Sequence, residues 1–311
     1  SNSINTIFSR TRLISRIDLC DNGSDGLFVH YTDHVTIDNC LARANNHRGM
    51  LVGDADDVAV SNCTFYGNET CLRFQFASRS TLMNSIMCAD GSEAMGLTAT
   101  SLSASDYNNW YLTNGAYVSR GALTLAAWQG DTGLDANSLS EDALFVDAEA
   151  GVFHLKSTVG SYHDGAWTAD AIDSPCIDVG SGNVGAEPEP NSTPLHGADS
   201  GKRNLGAYGG TEQASKTPEG RHLWLCEPLG GETYLDQMVP VDIRWRWVGQ
   251  GWQVGDTLKL EYSPDAGGTW DTIGDVPVEH GTFSWDTSEL PVSLYRVWLT
   301  CIQDHAVTYE S

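Results

Sequence analysis

Two side chains in this sequence are of a type that could abstract a proton and also occupy positions that a ligand could reach. Arg73 and His30 both fall on outward positions of short predicted strands, in which apolar residues recur at every second position. A catalytic base must be a group such as His, Lys or Arg whose pKa is tuned by its surroundings. Arg73 and His30 are therefore the candidates for proton abstraction, and the simpler alternative is that both are solvated surface side chains.

Carboxylates form a second set of candidates. Asp54, Asp56 and Asp57 make one cluster, and Asp21 and Asp25 make another. Hydrolysis would need two carboxyl groups roughly 5 to 9.5 Å apart, and calcium takes roughly six to eight oxygen ligands from loops of this kind. Neither cluster has the full EF-hand spacing, and aspartate favours turns in any case. Calcium is thus the one cofactor under consideration, and no metal ligand is assigned.

The elements that must position these residues repeat with a period of 23 residues. Gly26-Leu27-Phe28-Val29 returns as Gly49-Met50-Leu51-Val52, and Val35-Thr36-Ile37-Asp38-Asn39-Cys40 returns as Val58-Ala59-Val60-Ser61-Asn62-Cys63. A third copy, shorter by one residue, runs through Leu72-Arg73-Phe74. A period of this length indicates a solenoid, because one repeat cannot bury its apolar face without a neighbour.

The alternation also predicts which side chains fill the coil. The expected interior residues are Leu27, Val29, Val35 and Ile37. Cys40 and Cys63 stack in one interior column. We expect both thiols to be free, because reduced cysteines are common in cores, although a strand spacing of roughly 4.8 Å would also allow a disulfide.

Two series of asparagines mark corners between the strands. One series is Asn39, Asn62 and Asn84, and the other is Asn22, Asn45 and Asn68, ending at Asp90. Asparagine tolerates left-handed backbone geometry and can bond the turn, and stacked copies can bond one another. The sequence therefore predicts two asparagine ladders.

The pattern Gly-aliphatic-x-aliphatic, followed by Val-x-Ile-x-Asn-Cys, resembles the right-handed parallel β-helix repeat of the pectate-lyase-like superfamily. Residues 142–147, 174–180 and 204–211 are similar to the closing region of large secreted bacterial proteins of that superfamily. The resemblance covers roughly residues 5 to 215. Because the superfamily includes lyases, glycosidases, epimerases and proteins with no known activity, the resemblance implies a fold and leaves the function open.

The resemblance implies that a polysaccharide would lie on the outer face of the sheet whose strands carry the Gly-aliphatic signature. Outward positions on this face are Phe28, Leu51 and Arg73 in one column and His30, Gly53 and Gln75 in the next. Arg73 and His30 are the catalytic candidates for β-elimination, which also needs a cation or acid to neutralise the uronate. Phe28, Leu51 and Gln75 are the substrate-binding candidates, and a protein contact at Phe28 and Leu51 is the alternative.

Composition limits the partners. Lys and Arg number 17 against 41 Asp and Glu, which gives a net charge of −24 and a pI near 4.4. Such a chain repels nucleic acid and anionic membranes, and no apolar run approaches the roughly 18 residues of a membrane span.

Motifs of zinc hydrolases, α/β serine hydrolases and phosphate-binding loops are missing from the sequence. Ser1-Asn2-Ser3 opens directly on the repeat, and a further strand is expected after Tyr309-Glu310-Ser311, so we expect the remainder of a longer chain at both ends.

The expected fold class is all-β, a right-handed parallel β-helix followed by a small immunoglobulin-like β-sandwich. The first domain is residues 1–217, of which 93–217 are irregular covering structure with a short helix near Thr124 to Gln129 and strands at 144–146 and 152–155. The second domain is residues 218–311. Its short alternating strands are 223–226, 241–245, 257–262, 282–285 and 295–301.

Three further features belong to the second domain. Ser263 to Trp270 resembles an Asp-box hairpin, which implies a structural role with Trp270 in the core. Cys226 and Cys301 could form a disulfide across the sandwich. Alternation favours core positions for Trp245, Trp285 and Trp298, whereas Trp247 and Trp252 are expected to be exposed and available to a carbohydrate.

Two function classes follow. The first is a secreted or cell-surface protein that acts on polysaccharide as a lyase or hydrolase. The second is a non-catalytic structural or adhesive scaffold whose partner is another cell-surface protein. The apolar outer column at Phe28 and Leu51 favours binding, and the resemblance favours carbohydrate.

Overall fold

The computed structural model describes residues 4–7, 12–98, 101–181, 189–190, 202–228, 240–291 and 293–310. The fold is mostly β. The chain divides into two compact units, with the boundary in sequence between Lys216 and Thr217.

The first unit begins with a parallel solenoid that has three strands per coil. In chain order the strands are β1 (Ile4–Ile7), β2 (Arg12–Ser15), β3 (Asp18–Cys20), β4 (Leu27–His30), β5 (Val35–Asp38), β6 (Leu41–Arg43), β7 (Arg48–Gly53), β8 (Ala59–Ser61), β9 (Thr64–Tyr66), β10 (Thr70–Gln75), β11 (Ser78–Met83), β12 (Ile86–Asp90), β13 (Met95–Thr98), β14 (Ser101–Asp106) and β15 (Asn109–Thr113).

Equivalent strands of successive coils pair in parallel and form three sheets. Sheet 1 has the order β1-β4-β7-β10-β13, sheet 2 the order β2-β5-β8-β11-β14 and sheet 3 the order β3-β6-β9-β12-β15. The register pairs Leu27 with Met50 and Ile37 with Val60, which is the 23-residue offset expected from the sequence. The predicted solenoid is therefore confirmed.

The interior of the coils is filled as the alternation predicts. Leu27, Val29, Val35 and Ile37 are each at most 1% exposed and belong to one continuous hydrophobic core. Cys40 and Cys63 are buried in the same core with free thiols. Burial raises the pKa of the Cys63 thiol, so this sulfur stays protonated and unreactive in the folded protein.

One buried carboxylate organises the last coil. Asp135 is 1% exposed. It accepts hydrogen bonds from five side chains: Trp128 Nε1 at 2.8 Å, Trp110 Nε1 at 3.1 Å, Ser105 Oγ at 2.7 Å, Asn108 Nδ2 at 2.9 Å and Ser138 Oγ at 2.6 Å. Trp128 lies on α1 (Leu125–Thr132), the short helix that the sequence predicts, which begins after the N-cap Thr124. A buried charge is tolerated here because every donor around it points at its two oxygens.

The two asparagine series differ in what they bond. Asn22 Nδ2 donates to Asn45 Oδ1 at 2.8 Å, and Asn45 Nδ2 donates to Asn68 Oδ1 at 2.9 Å, so this ladder is as predicted. It does not continue to Asp90, whose carboxylate instead accepts hydrogen bonds from Thr113 and Asn114.

The ladder predicted for Asn39, Asn62 and Asn84 is wrong. Asn39, Asn62 and Asn84 have the expected left-handed backbone, with φ of 52°, 47° and 52°. Their side-chain amides, however, donate to the backbone of a distant segment: Asn39 to Ala207 and Gly209, Asn62 to Asn204, and Asn84 to Ser181. These amides point out of the coil at the edge of sheet 3, where the distant segment offers carbonyl oxygens.

That segment belongs to the part of the chain that covers sheet 3. The covering part contains two antiparallel hairpins, β16 (Phe145–Asp147) with β17 (Val152–Leu155) and β18 (Ser161–His163) with β19 (Ala166–Thr168). Its apolar contact with the solenoid consists of Phe145, Phe153, Ala207 and Tyr208 against Leu41 and Tyr66. Residues 202–216 complete it, and we call Arg203 to Thr211 the docking segment.

The second unit contains two small antiparallel sheets. Its strands are β20 (His222–Glu227), β21 (Val241–Val248), β22 (Thr257–Ser263), β23 (Asp271–Pro277), β24 (Thr282–Trp285), β25 (Arg296–Cys301) and β26 (Thr308–Glu310), with a 3-10 turn at Val278–His280. The sheet orders are β20-β21-β24 and β23-β22-β25-β26. Leu225 and Ile243 of the first sheet share one core with Leu260 and Leu299 of the second.

Three tryptophan predictions for this unit are wrong. Trp247 and Trp252 are buried, at 4% and 0% exposure, because the Gln250-Gly251 turn bonds back to the chain near Gly220 and lays Trp252 on the core. Trp298 is only half-buried, since alternation along β25 directs Val297 and Leu299 inward. Trp245 and Trp285 are buried as predicted.

The Asp-box hairpin has the expected polar bonds. Asp265 accepts hydrogen bonds from Ser263 Oγ at 2.8 Å and from the Thr269 N–H at 2.7 Å. Trp270 is half-buried against Trp298, with ring centroids 4.9 Å apart, and does not enter the core. Cys226 and Cys301 are not joined by a disulfide.

Candidate functional site

The outer face of sheet 1 brings the predicted site residues side by side. Pairing between β4, β7 and β10 puts Phe28 opposite Leu51 and Leu51 opposite Arg73. The same pairing puts His30 opposite Gly53 and Gly53 opposite Gln75. All of these residues lie outside the hydrophobic core of the coils.

His30 is held in place from three sides. Its Nε2 lies 2.9 Å from Asp54 Oδ2. Its ring stacks on Phe28, with centroids 4.8 Å apart and planes at 21°, and contacts the ring of Tyr31. Gly53 accommodates the imidazole, because a Cβ at this position would lie 3.3 Å from His30 Cδ2. An imidazole oriented by a carboxylate is an arrangement that can act as a general base.

Arg73 and Leu51 are less accessible than their outward direction suggests. Arg73 donates from Nη2 to Thr98 Oγ1 at 2.9 Å, and its buried Nε makes no hydrogen bond within the described residues. Its aliphatic stem lies over Gly96, where a Cβ would be 3.1 Å from Arg73 Cγ. Leu51 is 7% exposed and therefore offers little surface to a ligand.

Two aromatic residues beside this face were missed in the sequence. Tyr31 and Phe76 are 65% and 52% exposed. They occupy the same corner as Asp54 in successive coils, since the N–H groups of Tyr31, Asp54 and Phe76 donate to the carbonyls of Gly53, Gln75 and Thr98. We call Tyr31, Asp54 and Phe76 the aromatic corner. Its signal in the sequence is the spacing of 23 and then 22 residues, which points to one column once the coil is fixed.

The backbone of the aromatic corner is left-handed, as it is at other corners of the coils such as Asn39 and Asn62. Tyr31, Asp54 and Phe76 have φ of 53°, 47° and 51°. The two rings are separated by two strand spacings, about 9.6 Å along the solenoid axis.

The carboxylate clusters are already engaged. Asp57 pairs with Arg79 through two contacts of 2.8 Å, and this guanidinium lowers the pKa of Asp57. Asp56 accepts from the Ser78 N–H at 2.8 Å. Asp25 accepts from Arg48 at 2.7 Å. No group of three or more His, Cys, Asp or Glu side chains is arranged to hold a metal ion in the part of the chain that the structure describes.

A separate cavity lies between sheet 3 and the docking segment. Its volume is about 270 Å³, and its lining includes Arg16, Asp18, Tyr208, Glu212 and Gln213. The sequence did not indicate this cavity, because its two walls are almost two hundred residues apart in the chain.

Comparison with protein families identifies the solenoid. Residues 2–125 match the family model of the right-handed β-helix region. This part of the chain is therefore similar to right-handed β-helices, in agreement with the parallel solenoid of the structure. The β-helix is a fold common to carbohydrate-active proteins, and the match assigns no specific activity. No curated protein matches the chain.

No helix among the described residues combines the length and the hydrophobicity that crossing a membrane requires.

Proposed function

We propose that this chain is an extracellular, polysaccharide-associated β-helix protein of the pectate-lyase-like kind, secreted or displayed at the cell surface. Its glycan lies along the outer face of sheet 1 and over the aromatic corner. The antiparallel second unit acts as an immunoglobulin-like accessory module.

The exposure of Tyr31 and Phe76 carries this proposal. Two large aromatic rings are exposed to water, and both belong to one column of the solenoid. Asp54 lies between them and holds His30. Two apolar ring surfaces with a charged acceptor between them suit a chain of hydroxylated sugar rings, each of which has an apolar face and a polar edge.

The same face carries the groups that a lyase would need. His30, oriented by Asp54, supplies a general base. Arg73 supplies a guanidinium that can pair with the carboxylate of a uronate. Gln75, one strand away from Gly53, adds an amide at the same level as His30.

The first test is a screen of the whole chain against anionic and neutral polysaccharides, with and without calcium. It follows the absorbance of unsaturated products and the appearance of reducing ends together. Unsaturated products that disappear in H30A and R73A would establish a lyase. Binding without turnover, weakened about tenfold by the double variant Tyr31→Ala and Phe76→Ala, would establish the surface without the reaction.

A matched control keeps this test specific. Leu123→Ala removes another apolar side chain that is 67% exposed and lies away from the aromatic corner in sequence. It should leave binding unchanged. If the folded double variant binds every glycan as well as the unmodified chain does, the proposed surface is wrong.

A second candidate function is a non-catalytic structural or adhesive scaffold. It is favoured by the engagement of both catalytic candidates, since His30 pairs with Asp54 and Arg73 bonds Thr98. In this case H30A and R73A change no turnover on any substrate, and the aromatic corner contacts another cell-surface protein.

A further inference from the structure

We propose that the cavity between sheet 3 and the docking segment binds a neutral sugar unit of a glycan, and that the glycan continues toward the exposed indole of Trp167. The cavity has a volume of about 270 Å³, which is close to the lower end of ligand pockets, roughly 300 Å³. This site shares no residue with the outer face of sheet 1, so the inference does not rest on the function proposed above.

The charges of the cavity favour a neutral ligand. Arg16, Asp18 and Glu212 line it, and Arg43 Nη2 donates to Asp18 Oδ2 at 3.0 Å from behind. Two guanidinium groups and two carboxylates therefore balance at this site. Because both signs of charge are present, the site has no net attraction for a charged ligand, whereas a polyhydroxylated neutral ring can donate to the carboxylates and accept from the guanidinium groups.

Tyr208 and Gln213 supply the rest of the lining that the ligand needs. Burial, and then the nearby Asp18, raise the pKa of the Tyr208 hydroxyl, which therefore stays protonated and able to donate at neutral pH. Gln213 lines the cavity beside it with an amide that can both donate and accept.

A row of rings leads away from the cavity. Tyr208 stacks on His154 with centroids 3.6 Å apart and planes at 21°. His154 meets Tyr162 at 6.0 Å, and Tyr162 meets Trp167 at 5.3 Å. Trp167 is 36% exposed at the far end, with Lys216 Nζ 4.6 Å from its ring centroid. The row thus joins a polar cavity to an exposed indole within the covering part of the chain.

His154 makes the row a rigid apolar support. It is 7% exposed, and the side chain of Gln213, which also lines the cavity, interacts with its ring. Burial lowers the pKa of His154 to about 4, so the imidazole is neutral at physiological pH. A neutral ring between Tyr208 and Tyr162 keeps both at fixed positions without adding charge beside the ligand.

The experiment is isothermal titration calorimetry of the whole chain with tri- to hexasaccharides of the cello, xylo, manno and malto series, and with oligogalacturonates of the same lengths. Trp167→Ala and Glu212→Ala change exposed side chains, so both variants should fold, which their melting temperatures verify. We expect at least one neutral series to bind, with Kd raised about fivefold or more in each variant. Longer oligosaccharides should bind more tightly than trisaccharides only while Trp167 is present.

The matched controls are Leu123→Ala, an exposed apolar side chain of the first unit, and Trp270→Ala, a half-buried tryptophan of the second unit. Neither should change the affinity for the neutral ligand. The proposal is overturned if oligogalacturonate binds more tightly than every neutral series, or if Trp167→Ala and Glu212→Ala bind as the unmodified chain does. It is also overturned if the folded protein binds no oligosaccharide. Loss of binding in Phe28→Ala on the outer face of sheet 1, with binding kept in Trp167→Ala and Glu212→Ala, would support the outer face and reject the cavity.

Discussion

Asn39 donates a hydrogen bond from its side-chain amide to the carbonyl oxygen of Gly209, 170 residues further along the chain, at a distance of 2.8 Å. The same amide donates to the carbonyl of Ala207 at 3.0 Å. Thr64, in the next coil, accepts from the N–H of Ala207 at 2.9 Å. The corner asparagines of the β-helix therefore fix the docking segment, and with it one wall of the cavity.

We expect Asn39→Ala to lower the free energy of unfolding by about 1 to 3 kcal/mol, because two backbone carbonyls lose their donor and alanine disfavours a left-handed φ. Chemical unfolding at neutral pH measures the loss. Asn39→Gly is the control that separates the two causes, since glycine keeps the left-handed backbone and removes only the amide. If Asn39→Gly is as stable as the unmodified chain, the amide contributes nothing to docking.

Gly206 is a second test of the docking segment. Its φ is 83°, and a Cβ there would lie 2.6 Å from Thr64 Oγ1 and 2.8 Å from Ile86 Cδ1. We expect Gly206→Ala to destabilise the protein by about 2 to 4 kcal/mol, through strain and displacement of the segment. Limited proteolysis should then cut the covering part of the chain faster.

Gly165→Ala is the matched control for this substitution. Gly165 has a similar φ of 76° and no atom within 4 Å of the added Cβ. It should show only the backbone cost, about 1 kcal/mol. Equal effects at Gly165 and Gly206 would mean that contact with Thr64 and Ile86 does not hold the segment.

The last coil should depend on the charge of Asp135. Asp135→Asn replaces one acceptor oxygen with a donor amide, so several of the five hydrogen bonds are lost or reversed. We expect a loss of about 3 kcal/mol, in the range found for buried polar networks. Urea unfolding followed by tryptophan fluorescence is a suitable measurement, because Trp110 and Trp128 both donate to this carboxylate. Asp131→Asn changes an exposed residue of α1, the helix that carries Trp128, and should change stability by less than about 0.5 kcal/mol.

The parts of this structure that the sequence predicted are those encoded locally. The alternation in residues 26–29 and the 23-residue offset determine which side chains face inward and which residues pair, because strand period and coil length suffice for both. Asn22 and Asn39 show the limit of prediction from the repeat. Both sit at corners of the same coil, yet Asn22 bonds its copy in the next coil and Asn39 bonds Gly209. A period shows that a corner repeats, and it carries no information about a partner outside the repeat.

The candidate sites show the same limit: residues in one column could be predicted from the repeat, and contacts outside the repeat could not. The columns through Phe28 and His30 followed from register alone. The contact between His30 and Asp54 could not be predicted, because it depends on the direction of a corner side chain. Predicting the cavity would have required knowing that Tyr208 and Asp18 line it together. Such proximity of distant segments is set by the packing of the covering structure on the coil.

One acidic residue, Glu189, should make the stability of the docking segment depend on pH. Glu189 Oε1 accepts hydrogen bonds from the N–H groups of Asn204 at 2.9 Å and Gly210 at 2.5 Å. Burial, and then the nearby charge of Asp178, raise the pKa of Glu189 from 4.5 to about 8. The folded protein therefore holds a proton at Glu189 that the unfolded chain releases above pH 4.5.

Because the pKa is higher in the folded state, the stability that protonated Glu189 contributes is complete below pH 4.5 and is lost as the pH rises toward 8. We expect the melting temperature to fall between pH 5.5 and pH 8.5, and Glu189→Gln, which stays neutral throughout, to fall less. Differential scanning calorimetry at matched ionic strength measures both slopes. Glu212→Gln, an exposed carboxylate of the same region, should keep the slope of the unmodified chain. Equal slopes for Glu189→Gln and the unmodified chain would show that Glu189 ionises in the folded protein as freely as in the unfolded one.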